Sequence, residues 1–235
     1  MRRDPGLRAA SFLLSATCLL LFVCLSNAAN SVHAQTLAYI TNTVDDSVSV
    51  INTASNTVVT TIPVGNDPAG LAITPDGTRV YMTDLNSNSV FVIDTATNTV
   101  IATIPVGLFP VGIAITPDGT RAYVANQNGA TISVIDTATN SVIATIPAGF
   151  MVSDIAIASD GTRAFAIGEQ GPNFGVVVID TATNTVITTI PLAEFPFRIA
   201  LTPAPTSPTT KDQCKNGGWK NFVSFVERNR KTRVF

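Results

Sequence analysis

The chain has 235 residues, 46% hydrophobic and 13% charged, which is long enough for one sizeable folded domain whose surface polarity depends on Thr, Asn and Ser. Its net charge of −2 is unevenly distributed: residues 35–210 carry 13 acidic side chains and four arginines, whereas residues 211–235 carry seven basic side chains and two acidic ones. An acidic body without a cluster of cations argues against nucleic-acid binding as the main function, because phosphate neutralisation needs clustered Lys and Arg.

Residues 1–34 have the features of a secretory signal peptide. Three arginines in the first eight residues precede an apolar run at 9–25, and small residues follow, with cleavage predicted after Ala34. The alternative is a membrane anchor, which needs about 20 apolar residues, and this run has 17. We therefore predict a secreted, periplasmic or cell-surface protein without a stable membrane span after cleavage.

Cleavage at this point also limits the available chemistry. It removes His33, Cys18 and Cys24, so the mature chain keeps one cysteine, Cys214, and no histidine. Histidine is the usual haem ligand and the commonest general base. The sequence contains no phosphate-binding loop, zinc spacing or calcium loop. We predict no cofactor and no metal, and we favour a binding function over catalysis.

The body of the chain is a repeat of about 42 residues. The run Ile51-Asn52-Thr53-Ala54-Ser55-Asn56 returns in similar form from Ile93, Ile135 and Ile179. Thr-Ile-Pro recurs at 61, 103, 145 and 189, and Asp-Gly-Thr-Arg recurs at 76, 118 and 160. A fixed period of this length indicates a repeat architecture.

Each repeat contains four short β-branched or aromatic runs, which predict four strands. In the second repeat we expect these strands, named A to D, at 70–74, 80–84, 89–94 and 99–105. Tight turns should separate A from B and C from D, because Pro75-Asp76-Gly77 supplies a fixed φ, a local cap and a positive φ. Repeated four-stranded units of about 40 residues are typical of β-propeller blades.

The repeat also resembles a known family. Tyr123-Val124-Ala125-Asn126, together with the Val-Ile-Asp-Thr-Ala-Thr-Asn, Thr-Ile-Pro-Val-Gly and Thr-Pro-Asp-Gly-Thr-Arg runs, is similar to the YVTN family of β-propeller repeats found in surface-layer and other secreted microbial proteins. The resemblance covers about residues 37–203 and implies an all-β propeller domain at 35–203. The chain departs from the family because such domains usually have more than four blades.

The ends of the repeat region suggest how four blades would close. The region begins with a B strand at 37–42, and its last repeated element is an A strand at 198–202, so the first blade lacks its own A strand. We expect the last A strand to complete the first blade and seal a four-bladed ring. In the alternative, the edges stay open and pair with a second copy of the chain.

The loops that differ between repeats predict where a ligand would bind. Alternating strand directions place the B–C and D–A loops at one end of each blade, called the top, and the nearly identical A–B and C–D turns at the other. The D–A loops carry Phe or Met in three of four cases. These apolar side chains either plug a narrow centre or form a patch for an unknown protein, glycan or small ligand, rimmed by polar side chains. The predicted binding residues are Asp45, Asp46, Asp67, Asp84, Phe109, Asn126, Phe150, Met151, Glu169, Phe195, Phe197 and Arg198.

Two other functions remain open. Carboxylate-based hydrolysis, as in a lactonase, would use Asp84 with Glu169. A structural surface-layer or matrix component would have no discrete ligand. The repeated Asp76-type and Arg79-type residues are interpreted as turn caps and surface ion pairs rather than as a site, because they recur in every hairpin of one kind.

The C-terminal part is predicted to lie outside the repeat domain. Residues 204–210 form a Pro/Thr/Ser linker, and residues 211–235 form a basic tail that we expect to be poorly ordered. Cys214 has no intramolecular partner after cleavage, which suggests a homodimer through an intermolecular disulfide or a truncated remnant of a longer module.

Overall fold

The computed structural model describes residues 36–203, and the regular secondary structure in that range consists of β-strands. The strands form four sheets, numbered in chain order. Sheet 1 contains β1 (Leu37–Asn42), β2 (Ser47–Asn52) and β3 (Thr57–Pro63); sheet 2 contains β4 (Pro68–Ile73), β5 (Arg79–Asp84), β6 (Ser89–Asp94) and β7 (Thr99–Pro105); sheet 3 contains β8 (Pro110–Ile115), β9 (Arg121–Asn126), β10 (Thr131–Asp136) and β11 (Ser141–Pro147); sheet 4 contains β12 (Met151–Ile157), β13 (Arg163–Gln170), β14 (Asn173–Asp180) and β15 (Thr185–Leu192).

The predicted strands of the second repeat are confirmed. Strands β6 and β7 have the predicted bounds, β5 begins one residue earlier, and β4 begins two residues earlier and ends one residue earlier. Neighbouring strands in sheets 2, 3 and 4 pair antiparallel and follow one another along the chain. The all-β prediction and the four-stranded repeat are therefore correct for these three sheets.

The turns also have the predicted chemistry. Gly77 has a φ of 72°, which lies in the left-handed region that glycine adopts at little cost. Asp76 Oδ1 accepts the backbone N–H of Thr78 at 3.0 Å, so its side chain caps the A–B turn. In the C–D turn Asn98 supplies the left-handed residue with a φ of 52°, and Asp94 Oδ1 caps the turn from its first position. Local sequence is thus sufficient to define both hairpins.

The hydrophobic core lies between successive sheets. We call the side of a sheet that faces the next sheet in the chain its leading face, and the opposite side its trailing face. The leading face of sheet 2 packs on the trailing face of sheet 3, and that of sheet 3 on sheet 4. The first contact buries Tyr81, Val90, Val92 and Ile104 against Ile113, Ala122, Val124 and Ile135. The second includes Tyr123, Ile132, Val134 and Ile146 against Ile155, Ala164, Ala166, Val177 and Ile179. Each fully buried Val or Ile contributes about 1.5–3 kcal/mol.

Polar contacts repeat at one end of these interfaces. Arg79 Nη1 donates to the carbonyl oxygen of Thr137 at 2.6 Å, and the Tyr81 hydroxyl donates to Asn140 Oδ1 at 2.7 Å. One repeat later, the equivalent contacts join Arg121 to the Thr181 carbonyl and Tyr123 to Asn184. Each pair of side chains, which we call an Arg–Tyr latch, therefore ties the B strand of one sheet to the C–D turn of the next.

The latch corrects one sequence-based interpretation. The turn-cap role of the repeated aspartates is confirmed, but the arginines at 79 and 121 do not form ion pairs with them. Their guanidinium groups reach the following sheet instead and satisfy a carbonyl oxygen there. A contact between sheets cannot be read from the spacing of residues within one hairpin.

The prediction that a strand at 198–202 completes the first blade is wrong for this structure. Residues 198–202 have no strand conformation, and sheet 1 contains three strands. The segment is held instead at β12, where the Ile199 N–H donates to Asp154 Oδ2 at 3.2 Å. Local sequence identifies a strand-forming segment, but its pairing partner depends on contacts distant in the chain.

The described residues divide into two compact units. In the smaller, comprising residues 36–38 and 50–59, the N–H and hydroxyl of Thr53 both donate to the Thr36 carbonyl. The larger comprises residues 39–49 and 60–203 and contains sheets 2 to 4. The predicted signal peptide at 1–34, linker at 204–210 and basic tail at 211–235 lie outside the described residues.

Candidate functional site

Backbone hydrogen bonds confirm which loops share an end. Leu85 N–H, after strand β5, donates to the Asp67 carbonyl in the loop before β4, and Val106 N–H donates to the Asn88 carbonyl. At the opposite end, Thr95 N–H in a C–D turn donates to the Thr78 carbonyl in an A–B turn. The variable B–C and D–A loops therefore lie together, as the sequence predicts.

Two of the predicted rim residues are buried. The carboxylate of Asp84 is fully buried and accepts the N–H groups of Asn66 and Ser87. A Cβ on Gly65 would lie 1.7 Å from Asp84 Oδ2, so the absence of a side chain there lets the loop cover this carboxylate. Asp84 is therefore occupied in holding a D–A loop against its sheet.

Asn126 occupies the same position one repeat later and is also buried. Its Nδ2 group donates to Thr131 Oγ1 at 3.1 Å and to Ser133 Oγ at 2.9 Å. A Cβ on Gly107 would lie 2.6 Å from its amide group. These contacts give Asn126 a structural role at the end of β9.

Three other predicted residues are more accessible. Asp45 is exposed, while Asp46 and Asp67 are half-buried. Asp46 Oδ1 accepts the Asp67 N–H at 2.9 Å, which joins a B–C loop to a D–A loop. Phe109 is half-buried with a φ of 55°, and its N–H donates to Asn88 Oδ1 at 2.8 Å.

The remaining predicted residues gather at the top end of sheet 4. The rings of Phe174 and Phe195 meet edge to face, with centroids 5.8 Å apart and planes at 87°. Phe195 is 52% exposed, Phe197 75% and Met151 39%. We call the set Met151, Glu169, Phe174, Phe195, Phe197 and Arg198 the aromatic end of sheet 4. Edge-to-face rings attract one another, so the pair presents a defined apolar surface to solvent.

One cation and two carboxylates border this surface. The Arg198 guanidinium lies 5.5 Å from the centre of the Phe197 ring, within the range of a cation–π contact. Its Nη1 atom lies 3.7 Å from Asp154 Oδ1. In register, Glu169 on β13 lies opposite both Met151 and Phe174. The aromatic end therefore combines exposed rings with charges of both signs, an arrangement suited to a ligand with apolar and polar parts.

Phe150 separates the two interpretations of the apolar loop residues. It packs against the core cluster between sheets 3 and 4, and its Cε1 atom lies 3.4 Å from where a Cβ on Gly175 would be. Phe150 thus fills interior space, whereas Phe195 and Phe197 face solvent. The plugging and patch interpretations apply to different residues of the same predicted set.

Phe174 was missed by the sequence-based prediction. The signal was the fourth repeat, where the spacing from Ile135 to Ile179 is 44 residues rather than 42. The longer repeat accompanies eight-residue strands β13 and β14, joined through Gly171 with a φ of 59°. This longer hairpin places Phe174 beside Phe195.

The opposite end carries two equivalent clefts. Their volumes are about 510 and 520 Å³, and each is lined by two successive A–B turns and one C–D turn. Hydrogen bonds, first from Thr74 and then from Thr78, lower the pKa of Asp76 below its usual range. The Thr116 hydroxyl is the largest cause of the lowered pKa of Asp118. These carboxylates accept hydrogen bonds within their own turns, which supports the turn-cap interpretation.

The part of the chain from 36 to 203 contains no group of three or more His, Cys, Asp or Glu side chains placed to hold a metal ion. Within the same range no helix has the length and apolar character needed to span a bilayer.

Known proteins resemble this chain in sequence and in fold. The sequence pattern of a family described as YNCE-like beta-propeller matches residues 4–121, half of the chain. No curated protein matches the chain. Among solved structures, a hydrazine synthase of Kuenenia stuttgartiensis matches with a TM-score of 0.65 and 31% identity, over 66% of this chain and 46% of that one.

A second solved structure is a functionally unknown protein from Desulfotomaculum acetoxidans. It matches with a TM-score of 0.56 and 19% identity, over 68% of this chain and 57% of that protein. At this identity the likeness concerns the fold alone. The chain spans about half the length of these two solved structures.

Proposed function

This chain belongs to the YNCE-like β-propeller family, and on that basis we propose that it is a secreted or cell-surface binding module whose ligand contacts the aromatic end of sheet 4. The ligand has an apolar face, as a sugar ring or the side chain of a bound protein has. The N-terminal pattern of charge and apolar residues supports secretion. The likeness to YVTN-type repeats supports a surface or extracellular setting.

Exposure of the two phenylalanines carries the proposal. Phe197 is 75% exposed and Phe195 is 52% exposed, whereas Phe150 from the equivalent loop one repeat earlier packs against the core. Burying an aromatic side chain contributes about 1.5–3 kcal/mol, so leaving two in water gives up stability in the free protein. Binding would recover that free energy when the rings are covered, as at other exposed apolar patches.

The hydrolase alternative has less support. A catalytic carboxylate must reach the substrate, and Asp84 is fully buried with two backbone amides on its oxygens. We therefore base the proposed function on the aromatic end rather than on a carboxylate pair.

The test compares two variants of the full chain on arrays of glycans and peptides. Phe195→Ser should abolish the array signal of the unsubstituted protein and lower its melting temperature by no more than about 2–4 °C, the loss expected from one edge-to-face contact. Leu108→Ser is the matched control, because Leu108 is 57% exposed in another D–A loop. It should keep the signal.

Phe150→Ser supplies the opposite reference and should lower the melting temperature. An unchanged array profile in Phe195→Ser would refute the proposed site. A large loss of melting temperature in that variant would also refute it, because it would show that the Phe195 ring acts as a plug.

A further inference from the structure

The two ends of the sheet series expose residues that are buried elsewhere in it. Ile190, on the leading face of sheet 4, is 46% exposed, whereas the isoleucines at the equivalent positions 62, 104 and 146 are 3–5% exposed. At the other end, Ile40 on β1 is 39% exposed, and its equivalents Met82 and Val124 are fully buried. Among residues 36–203, each end therefore has one apolar face without the neighbour that the internal sheets have.

Residues 196–201 resemble the A strand of a further sheet, and we call the A strand of each sheet its inner strand. Pro196-Phe197-Arg198-Ile199-Ala200-Leu201 aligns with β4 and β8, which also begin with Pro and carry an aliphatic residue followed by Ala at the fourth and fifth positions. In this alignment Asp154, Gly112 and Gly70 are equivalent to Arg198.

The segment also lies where such a strand would lie. Strand β12 packs beside β8, and a Cβ on Gly112 would come within 2.8 Å of the Asp154 Cα. The segment 196–201 contacts β12 at that same residue, through the Arg198 ion pair and the Ile199 N–H. It therefore follows β12 as β12 follows β8.

Among residues 36–203, no strand pairs with the edge of β1 that lies opposite β2, which we call its inner edge. In sheet 2, the Thr83 hydroxyl accepts the Gly70 N–H of the inner strand at 2.8 Å and donates to the Val111 carbonyl at 2.9 Å. Thr41 is the equivalent residue of β1. Its hydroxyl donates to the Ala69 carbonyl at 3.2 Å, and within residues 36–203 no backbone N–H donates to it. The missing donor is the one that an inner strand would provide.

We propose that residues 196–201 of one chain pair antiparallel with β1 of a second copy, and complete its three-stranded sheet. In sheets 2 and 3, Leu71 pairs with Met82 and Ile113 pairs with Val124. The same register places Ile199 of one chain opposite Ile40 of the other. The pairing satisfies the open edge of β1 and covers the leading face of sheet 4 with the trailing face of sheet 1 of the second copy.

The Arg–Tyr latch supports the same contact. Arg79 and Arg121 each donate to a threonine carbonyl in the C–D turn of the next sheet. Arg163, the third arginine of the series, is exposed, and its guanidinium group makes no hydrogen bond within residues 36–203. In the second copy, the carbonyl oxygen of Thr53 is the equivalent acceptor. One end of this chain therefore carries the donor and the other carries the acceptor.

Two chains can make this contact twice. The contact joins unlike surfaces, so each chain uses its segment 196–201 on its partner and receives the partner's segment on β1. The pair then contains eight sheets, within the range of four to eight blades seen in propellers. A second copy is favoured over closure within one chain because residues 198–202 form no strand and sheet 1 keeps three strands.

Disulfide trapping tests both the pairing and its partner. In a full chain whose three native cysteines are replaced by Ser, Ile40→Cys and Ile199→Cys are introduced in separate chains. Cross-strand neighbours have Cβ atoms about 4.5–5.5 Å apart, close enough for oxidation to link them with small backbone shifts. The mixture of the two variants should give a disulfide-linked dimer, and each variant alone should stay unlinked.

The control pairs Ile40→Cys with Ile187→Cys, on the exposed outer strand β15, and should give no dimer. A chain that carries both Ile40→Cys and Ile199→Cys should run as a linked dimer without reductant. An internal disulfide in a monomer would overturn the proposal, since it would show closure within one chain. The absence of any link in the mixture would also overturn it.

Discussion

The substitution Tyr123→Phe tests quantitatively how much the Arg–Tyr latch contributes to holding successive sheets together. The Tyr123 side chain is fully buried, and its hydroxyl donates to Asn184 Oδ1 at 2.7 Å. Phenylalanine keeps the ring in the core, so the change removes the hydroxyl's bond to Asn184 and its longer one, at 3.3 Å, to the Thr181 carbonyl, with little loss of packing. Phe165 already occupies the equivalent position in the fourth repeat, which shows that the strand accepts this side chain.

The expected magnitude follows from burial. A buried hydrogen bond of this kind contributes about 0.5–1.5 kcal/mol net, and the buried setting places Tyr123 near the upper part of that range. For a domain of 150–250 residues each kcal/mol changes the melting temperature by about 2–4 °C. We expect Tyr123→Phe to lower the melting temperature by about 2–5 °C, measured by calorimetry or circular dichroism at neutral pH.

A double-mutant cycle with Asn184→Ala separates the bond from other effects. If the hydroxyl and the amide interact as the structure shows, the double variant should be less destabilised than the sum of the two single variants. Tyr39→Phe is the control. The Tyr39 hydroxyl makes the corresponding bond to Asn98 at 2.9 Å, but in a half-exposed position, so its loss should lower the melting temperature less. Strict additivity in the Tyr123–Asn184 cycle would refute the latch.

Two further predictions follow from the turns and the sheet contacts. Hydrogen bonds from Thr116 and then Thr120 lower the pKa of Asp118, so the contribution of this carboxylate to stability is present above pH about 4 and is lost as the pH falls through its folded-state pKa. In urea titrations, Asp118→Asn should therefore lose less stability between about pH 5 and pH 2 than the unsubstituted chain. Equal losses in the two proteins would contradict this cause. Gly112→Ala should destabilise the fold by about 1–3 kcal/mol, because the added Cβ would lie 2.8 Å from the Asp154 Cα on the neighbouring strand. An unchanged melting temperature would show that β8 and β12 are not packed this closely.

The strands and turns were predictable because their causes are local. The Asp-Gly pairs at 76, 118 and 160 supply both a cap and a left-handed residue, and the structure gives all three glycines φ values of 72–74°. The asparagines that end the C–D turns, such as Asn98, do the same with φ near 52°. A periodic sequence repeats these local signals, so one correctly assigned repeat predicts the others.

The candidate site was only partly predictable, because burial depends on contacts between loops. Asp84 and Asn126 end strands at the top, where a polar residue is expected to be exposed. Gly65 and Gly107 instead let the following loops lie directly over them. Phe150 and Phe195 occupy similar loops, yet one packs inside and the other faces solvent. Within residues 36–203, sheet 4 follows Phe150 and no sheet follows Phe195, and spacing within a repeat does not reveal this difference.

The strand at 198–202 failed for a related reason. Its composition matches β4 and β8, but a strand needs hydrogen-bonding partners from elsewhere, and in the structure the segment contacts β12 through side-chain atoms of Asp154. Composition therefore predicts the capacity to form a strand, and the partner decides whether it forms.

The absolute mass of the folded full chain in solution, measured by light scattering across a range of micromolar concentrations, tests most directly whether the open end sheets of one chain are completed by another. Pairing of residues 196–201 with β1 of a second copy predicts the mass of two chains, and the mass of one chain for a variant carrying both Ile40→Asp and Ile190→Asp. The mass of a single chain for the unsubstituted protein at every concentration would contradict it.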